Sequence, residues 1–249
     1  MVTSLRLMSV ASLAAFGALA ASVLAAPMDV VSVDIDQNGS SLSYSSVGPA
    51  VAPAAGNYWN NHLATSGLLS SNLTASDGTT ITSIKVQLGV ESTATFDNST
   101  YVLNNLQRDG LAATGTPVTF TISGLNPSLT YDLYLYGVSV GQVGTRTGSD
   151  NNYYYRPTAF TITGVGTLTT NGLGGTDGSS TIGVFTQGQD YVKFTSLSPS
   201  GTGTIAGTFN NADGGTEGDF NGFQIVTVPE PASLAMLSLA GLGLMRRRR

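Results

Sequence analysis

Cysteine is absent from the 249-residue chain, histidine and tryptophan occur once each, and only 10% of the residues are charged. Disulfides, thiolate metal ligands and cysteine nucleophiles are therefore excluded. Basic residues are also scarce, 10 Lys plus Arg against 15 Asp plus Glu, for a net charge of -5. Nucleic-acid binding rests on neutralising phosphates with such cations, so that class is excluded as well. A Ser-His-Asp device would have to use His62, and no serine stands in a nucleophile-elbow context. Sequence offers no carboxylate pair whose separation suits glycoside hydrolysis, and the chain reads as non-catalytic. What is abundant is glycine, 31 residues, together with Ser and Thr. Glycine weakens helices and β-branched threonine favours strands, which points to an all-β chain with many turns.

Both ends carry handling signals. Arg6 precedes an apolar run from Leu7 to Leu24 and then small residues, the layout of a secretory signal peptide. Cleavage is expected between Ala25 and Ala26, since Val23 and Ala25 suit the two recognition positions and Pro27 then falls second. The rival reading is an uncleaved N-terminal anchor. At the other end Val228-Pro229-Glu230-Pro231 leads into an uncharged stretch, Ala232 to Met245, closed by Arg246, Arg247, Arg248 and Arg249. As a helix, Pro231 to Met245 would span about 22 Å, short of a hydrocarbon core of about 30 Å. Such a segment is a marginal anchor whose arginines hold its end on the cytoplasmic side, and it suits processing better than permanent spanning.

The Pro-Glu-Pro motif, the short apolar helix at 232–245 and the terminal basic cluster, in that order, resemble the bacterial PEP-CTERM sorting signal. The resemblance covers about the last 22 residues. It implies recognition by an exosortase, a membrane cysteine enzyme, after export through the Sec machinery, in bacteria that make exopolysaccharide. The implied location is the cell envelope, cell surface or extracellular matrix, with a transient stay in the inner membrane. Division of the chain follows: a signal peptide at 1–25, an exported domain at 26–228 and a sorting tail at 229–249. The exported domain holds five basic groups (Lys85, Arg108, Arg146, Arg156 and Lys193) against fourteen acids, a net of -9. That balance disfavours anionic partners.

Two-residue alternation marks strands at Val30 to Ile35, Thr79 to Leu88, Val118 to Ile122, Tyr131 to Tyr136, Ala159 to Thr163, Tyr191 to Leu197, Thr202 to Phe209 and Gly222 to Val228. The Gly124 to Ser128 corner reads as either a hairpin or a strand-to-strand crossover. One helical window, Ser99 to Arg108, has Val102 and Leu106 one turn apart. The expected fold is thus a single antiparallel β-sandwich with a short helix. Ser123-Gly124-Leu125-Asn126-Pro127, Tyr131 to Gly137 and Asp219 to Ile225 resemble the strands of galactose-binding-like or malectin-like jelly rolls. That resemblance implies a non-catalytic module that binds carbohydrate or acts as a spacer.

Candidate sites carry two readings each. Trp59, within Asn57-Tyr58-Trp59-Asn60-Asn61-His62, either stacks on a sugar beside hydrogen-bonding amides or fills the core. Tyr153, Tyr154, Tyr155 and Arg156 form either a saccharide platform or cross-strand tyrosine pairs. Asp34 to Gly39 imitates the opening of a calcium loop, but Ser45 stands where a bidentate Glu is needed. Asp213, Glu217 and Asp219, with Asn210 and Asn211, form either a calcium-holding loop or a solvated acidic turn. The function expected is a structural or carbohydrate-contacting component associated with exopolysaccharide; a polysaccharide hydrolase and a calcium-dependent adhesin are the rivals.

Overall fold

Alternation of apolar and polar side chains produces strands throughout the body, and the computed structural model describes residues 30–36, 58–63, 67, 69–89, 93–97, 106, 109–113, 115–137, 157–171, 185–212 and 217–228. The signal peptide, the tail, most of the helical window and the Asp34-to-Ser45 loop beyond Asp36 lie outside these residues. Within the window only Leu106 is described, helical and buried. Among the described residues no helix is long and apolar enough to cross a membrane.

The strands are β1 (Val30–Asp36), β2 (Trp59–Leu63), β3 (Lys85–Leu88), β4 (Thr93–Asp97), β5 (Asp109–Ala113), β6 (Val118–Ser123), β7 (Thr130–Tyr136), β8 (Thr158–Ile162), β9 (Gly166–Thr169), β10 (Tyr191–Leu197), β11 (Ile205–Asn211), β12 (Gly218–Phe220) and β13 (Gly222–Val228). They form two five-stranded sheets, β10-β7-β13-β1-β2 and β3-β6-β11-β8-β9, and a three-stranded sheet, β12-β5-β4. Among the described residues every pairing between strands is antiparallel except β1 with β2, which run parallel with Ser32 opposite Trp59.

The fold is an all-β sandwich. Val31, Val33 and Ile35 of β1, Leu133 and Leu135 of β7, and Phe223 and Ile225 of β13 share one buried core with Val86, Phe120, Ile122, Phe160, Ile205 and Phe209 of the second sheet. Leu111, Ala113 and Phe220 bring the small sheet into the same core. Gly207 stands where a Cβ would lie 2.5 Å from the Thr161 carbonyl oxygen and 2.6 Å from the Phe120 ring, so the strand accepts no side chain there.

The Gly124 to Ser128 corner is a crossover, since β6 lies in the second sheet and β7 in the first. Gly124, at φ +75°, supplies the left-handed turn, and the Tyr131 hydroxyl pins the corner by accepting the Asn126 N–H at 2.9 Å. Two strand expectations are shortened at their starts. Asp77 turns the Thr79 to Thr82 segment, its Oδ1 accepting the N–H groups of Thr79 and Thr80 at 2.8 Å, so that β3 begins at Lys85. Ser200, Thr202 and Thr204 form a hydroxyl-linked turn, and β11 begins at Ile205.

Candidate functional site

Three places carry the chemistry: the outer face of the first sheet, a groove between the turn after β8 and the β10–β11 connection, and the end of β13. On the outer face the register sets two rows. One runs Lys193, Tyr134, Gln224, Ser32, Trp59; the next runs Tyr191, Tyr136, Gly222, Asp34, Asn61. Opposed residues on a sheet share a face, so a patch of aromatic rings lies beside amide, hydroxyl and carboxylate groups. Tyr136 donates to Gln224 Oε1 at 2.5 Å, and Gln224 Nε2 donates to Ser32 Oγ at 3.0 Å. Trp59 meets Tyr136 edge-on with centroids 6.1 Å apart, and Tyr191 lies 5.8 Å from the same ring. Lys193 pairs with Asp132 at 2.7 Å and sits 4.9 Å over the Tyr134 ring. The Asp132 bond, helped by Tyr134, raises the Lys193 pKa, whereas burial foremost raises that of Tyr191.

This patch is a second apolar cluster, formed by Val30, Trp59, Leu106, Tyr134, Tyr136, Tyr191 and Val226 with Phe185 against it. Trp59 keeps only 9% of its surface exposed and is a packing residue of that cluster, leaving little ring for a sugar to stack on. The exposed ring of its motif is Tyr58, at 44%, which leans on Gly78 in the turn made by Asp77. Hydrogen bonds to Thr80 and Thr79 hold the Asp77 carboxyl down at about 2. Asn60 faces away from Trp59 and serves structure: its Nδ2 donates to the carbonyls of Ser32 and Thr74, and its Oδ1 accepts the Thr74 N–H. His62 is buried, at 6% exposure, and its Nε2 has no hydrogen-bond partner among the described residues; burial lowers its pKa.

Most of the remaining expected residues lie outside the described part of the chain. Tyr153, Tyr154, Tyr155, Arg156 and Asp213 lie outside the described residues, as do Ala25, Ala26, Pro229, Glu230, Pro231 and Arg246 to Arg249. Asn210 and Asn211 end β11 and Asp219 lies within β12, so the acidic segment read as one loop contains strand on both sides. Asp219 is fully buried and its N–H donates to Thr158 Oγ1 at 2.8 Å, while the Glu217 carbonyl accepts Asn211 Nδ2 at 2.7 Å. Among the described residues no group of three or more His, Asp or Glu is placed to hold a metal ion.

A groove of about 300 Å³ escaped the sequence reading. It is built from two turns, Ile162 to Val165 after β8 and Leu197 to Ala206 between β10 and β11. Ile162, Leu197 and Ile205 are its buried apolar floor; Thr163, Ser198, Ser200 and Thr204 supply hydroxyls, and Val165, 61% exposed, forms one side. Among the described residues no charged side chain lines it. The β10–β7 register shifts between Phe194 and Leu197, and Ser196 there adopts φ +52°, its N–H held by Asp132 Oδ1 at 2.9 Å. Such irregularities re-aim side chains, here delivering Leu197 to the floor. Separate turns, far apart in the chain, leave no linear motif by which this groove could be found.

β13 is a central strand, paired with β1 on one side and β7 on the other, and its last pairs are Thr227 with Tyr131 and Val228 with Thr130. The chain then enters Pro229-Glu230-Pro231 directly. A sandwich continuous with a linear C-terminal address is an exported protein carrying a sorting signal. That signal is the PEP-CTERM protein-sorting motif, matched at residues 227–249, and it marks the chain for exosortase processing. No curated protein and no solved structure matches the chain. The galactose-binding-like or malectin-like resemblance of the body therefore gains no support from these comparisons.

Proposed function

We propose that this exported protein, freed of its signal peptide between Ala25 and Ala26, works as a non-catalytic component of the cell surface or extracellular matrix and contacts neutral exopolysaccharide. The observation that carries the reading is the sorting motif at 227–249 joined to a sandwich with a groove whose described lining is uncharged and hydroxyl-bearing. Hydroxyl groups both donate and accept, which complements sugar hydroxyls, and the apolar floor suits the C–H face of a pyranose. The acidic body, net -9, disfavours charged glycans of the same sign. Tyr58, just before β2, offers a further exposed ring.

The test is retention of the mature protein, recovered from the cell exterior, on the producer's own polysaccharide. Wild-type protein is retained without releasing any product, Val165→Arg is retained less because the long side chain covers the groove, and Tyr58→Ala reports on the second surface. Equal flow-through of all forms would remove the carbohydrate reading and leave a structural role.

A further inference from the structure

The sorting motif and the folded sheet overlap. The match begins at Thr227, whereas β13 continues to Val228, so two residues belong to both. Thr227 and Val228 are half-buried and are paired to Tyr131 and Thr130 of β7. No spacer separates the ladder from Pro229, and proline cannot extend the ladder because it has no N–H to donate. An enzyme that reads a linear segment takes it in extended form and needs the backbone groups that a neighbouring strand otherwise occupies.

We propose that Thr130 and Tyr131 of β7 are positioning residues for processing: they hold the first two residues of the sorting motif, and the end of β13 must peel from β7 before the exosortase can take the motif fully. The two residues are suited to such peeling because they are partly exposed at the end of β13, unlike the buried residues Gly222 to Val226. Folding of the sandwich thus slows processing, and a chain whose β13 has closed is processed at the rate set by fraying of this end. The inference rests on the reading that an exosortase acts on residues 227–249.

The experiment is a pulse-chase of the full-length chain in producing cells, following loss of the tail. A six-residue Gly-Ser insertion after Val226 leaves the whole 227–249 motif intact and detaches it from the sheet. It should be processed roughly tenfold faster, the equivalent of one to two ladder hydrogen bonds, with Trp59 emission unchanged. Thr227→Ile, which strengthens the strand end by exchanging a hydroxyl for more apolar side-chain area at a half-buried position, should be processed several-fold slower. Unchanged rates in both variants, or slowing in both, would overturn the inference while leaving the sorting reading standing. A wild-type tail that is never removed would overturn both.

Discussion

Phe220 joins all three sheets, and its removal tests whether the sandwich is one cooperative unit. It is fully buried, and its ring centroid lies 5.2 Å from Phe209, 5.3 Å from Phe160, 5.4 Å from Phe120 and 6.5 Å from Phe223. Three of those rings belong to the second sheet and Phe223 to the first, while Phe220 itself stands in β12. Truncation to alanine loses the transfer energy of the ring and leaves a cavity that rigid strands cannot collapse into, a cost of about 3–5 kcal/mol. Phe220→Leu keeps much of the volume and forfeits mainly ring-to-ring contacts, about 1–2 kcal/mol. With a urea m-value near 2 kcal/mol/M, Phe220→Ala lowers the unfolding midpoint by about 2 M. Trp59, the single tryptophan, reports from the outer-face cluster, and coincidence of its emission with the circular-dichroism transition shows that both clusters unfold together. Val165→Ala, on an exposed turn, serves as a control within about 0.5 kcal/mol of wild type. A Phe220→Ala loss below about 1 kcal/mol would refute the reasoning.

Stability also depends on pH through His62. Burial lowers its folded-state pKa below the ordinary imidazole value of 6.5, so the native state resists the proton that the unfolded chain accepts. The contribution is intact above that value and is lost as pH falls from it toward the folded pKa, at up to about 1.4 kcal/mol per unit. His62→Leu should flatten this part of the melting-temperature profile; identical profiles in the two proteins would contradict the assignment. Gly207→Ala should cost about 1–3 kcal/mol, because its Cβ meets the Thr161 carbonyl at 2.5 Å and backbone cannot move aside as a flexible side chain does. A urea midpoint within error of wild type would show that β8 yields there.

The parts legible in sequence share a physical reason. Tyr131 to Tyr136, Tyr191 to Leu197 and Gly222 to Val228 alternate because one face of each enters the main core, and all three are strands. Trp59 to Leu63 breaks that rule. It is strand β2, but Asn60 and His62 face the side of Val33 and Ile35 while Trp59 lies opposite Ser32, so its polar and apolar residues are reversed relative to an ordinary core strand. Asn60 tolerates this because three hydrogen bonds to the backbone satisfy its amide. β9, Gly-Thr-Leu-Thr, is exposed along its whole length, and β12 has three residues, so neither carries a pattern long enough to read. The groove depends on two turns meeting in space. The sorting tail was legible in full, since such addresses are read as linear sequence by a receptor.

The most direct test of the central claim is the intact mass of the protein recovered from the cell exterior. Exosortase-dependent sorting predicts a chain that lacks Arg246 to Arg249 together with the apolar segment before them, and that begins at Ala26. A mass that still includes the four terminal arginines would contradict it and make the C-terminal segment a plain anchor.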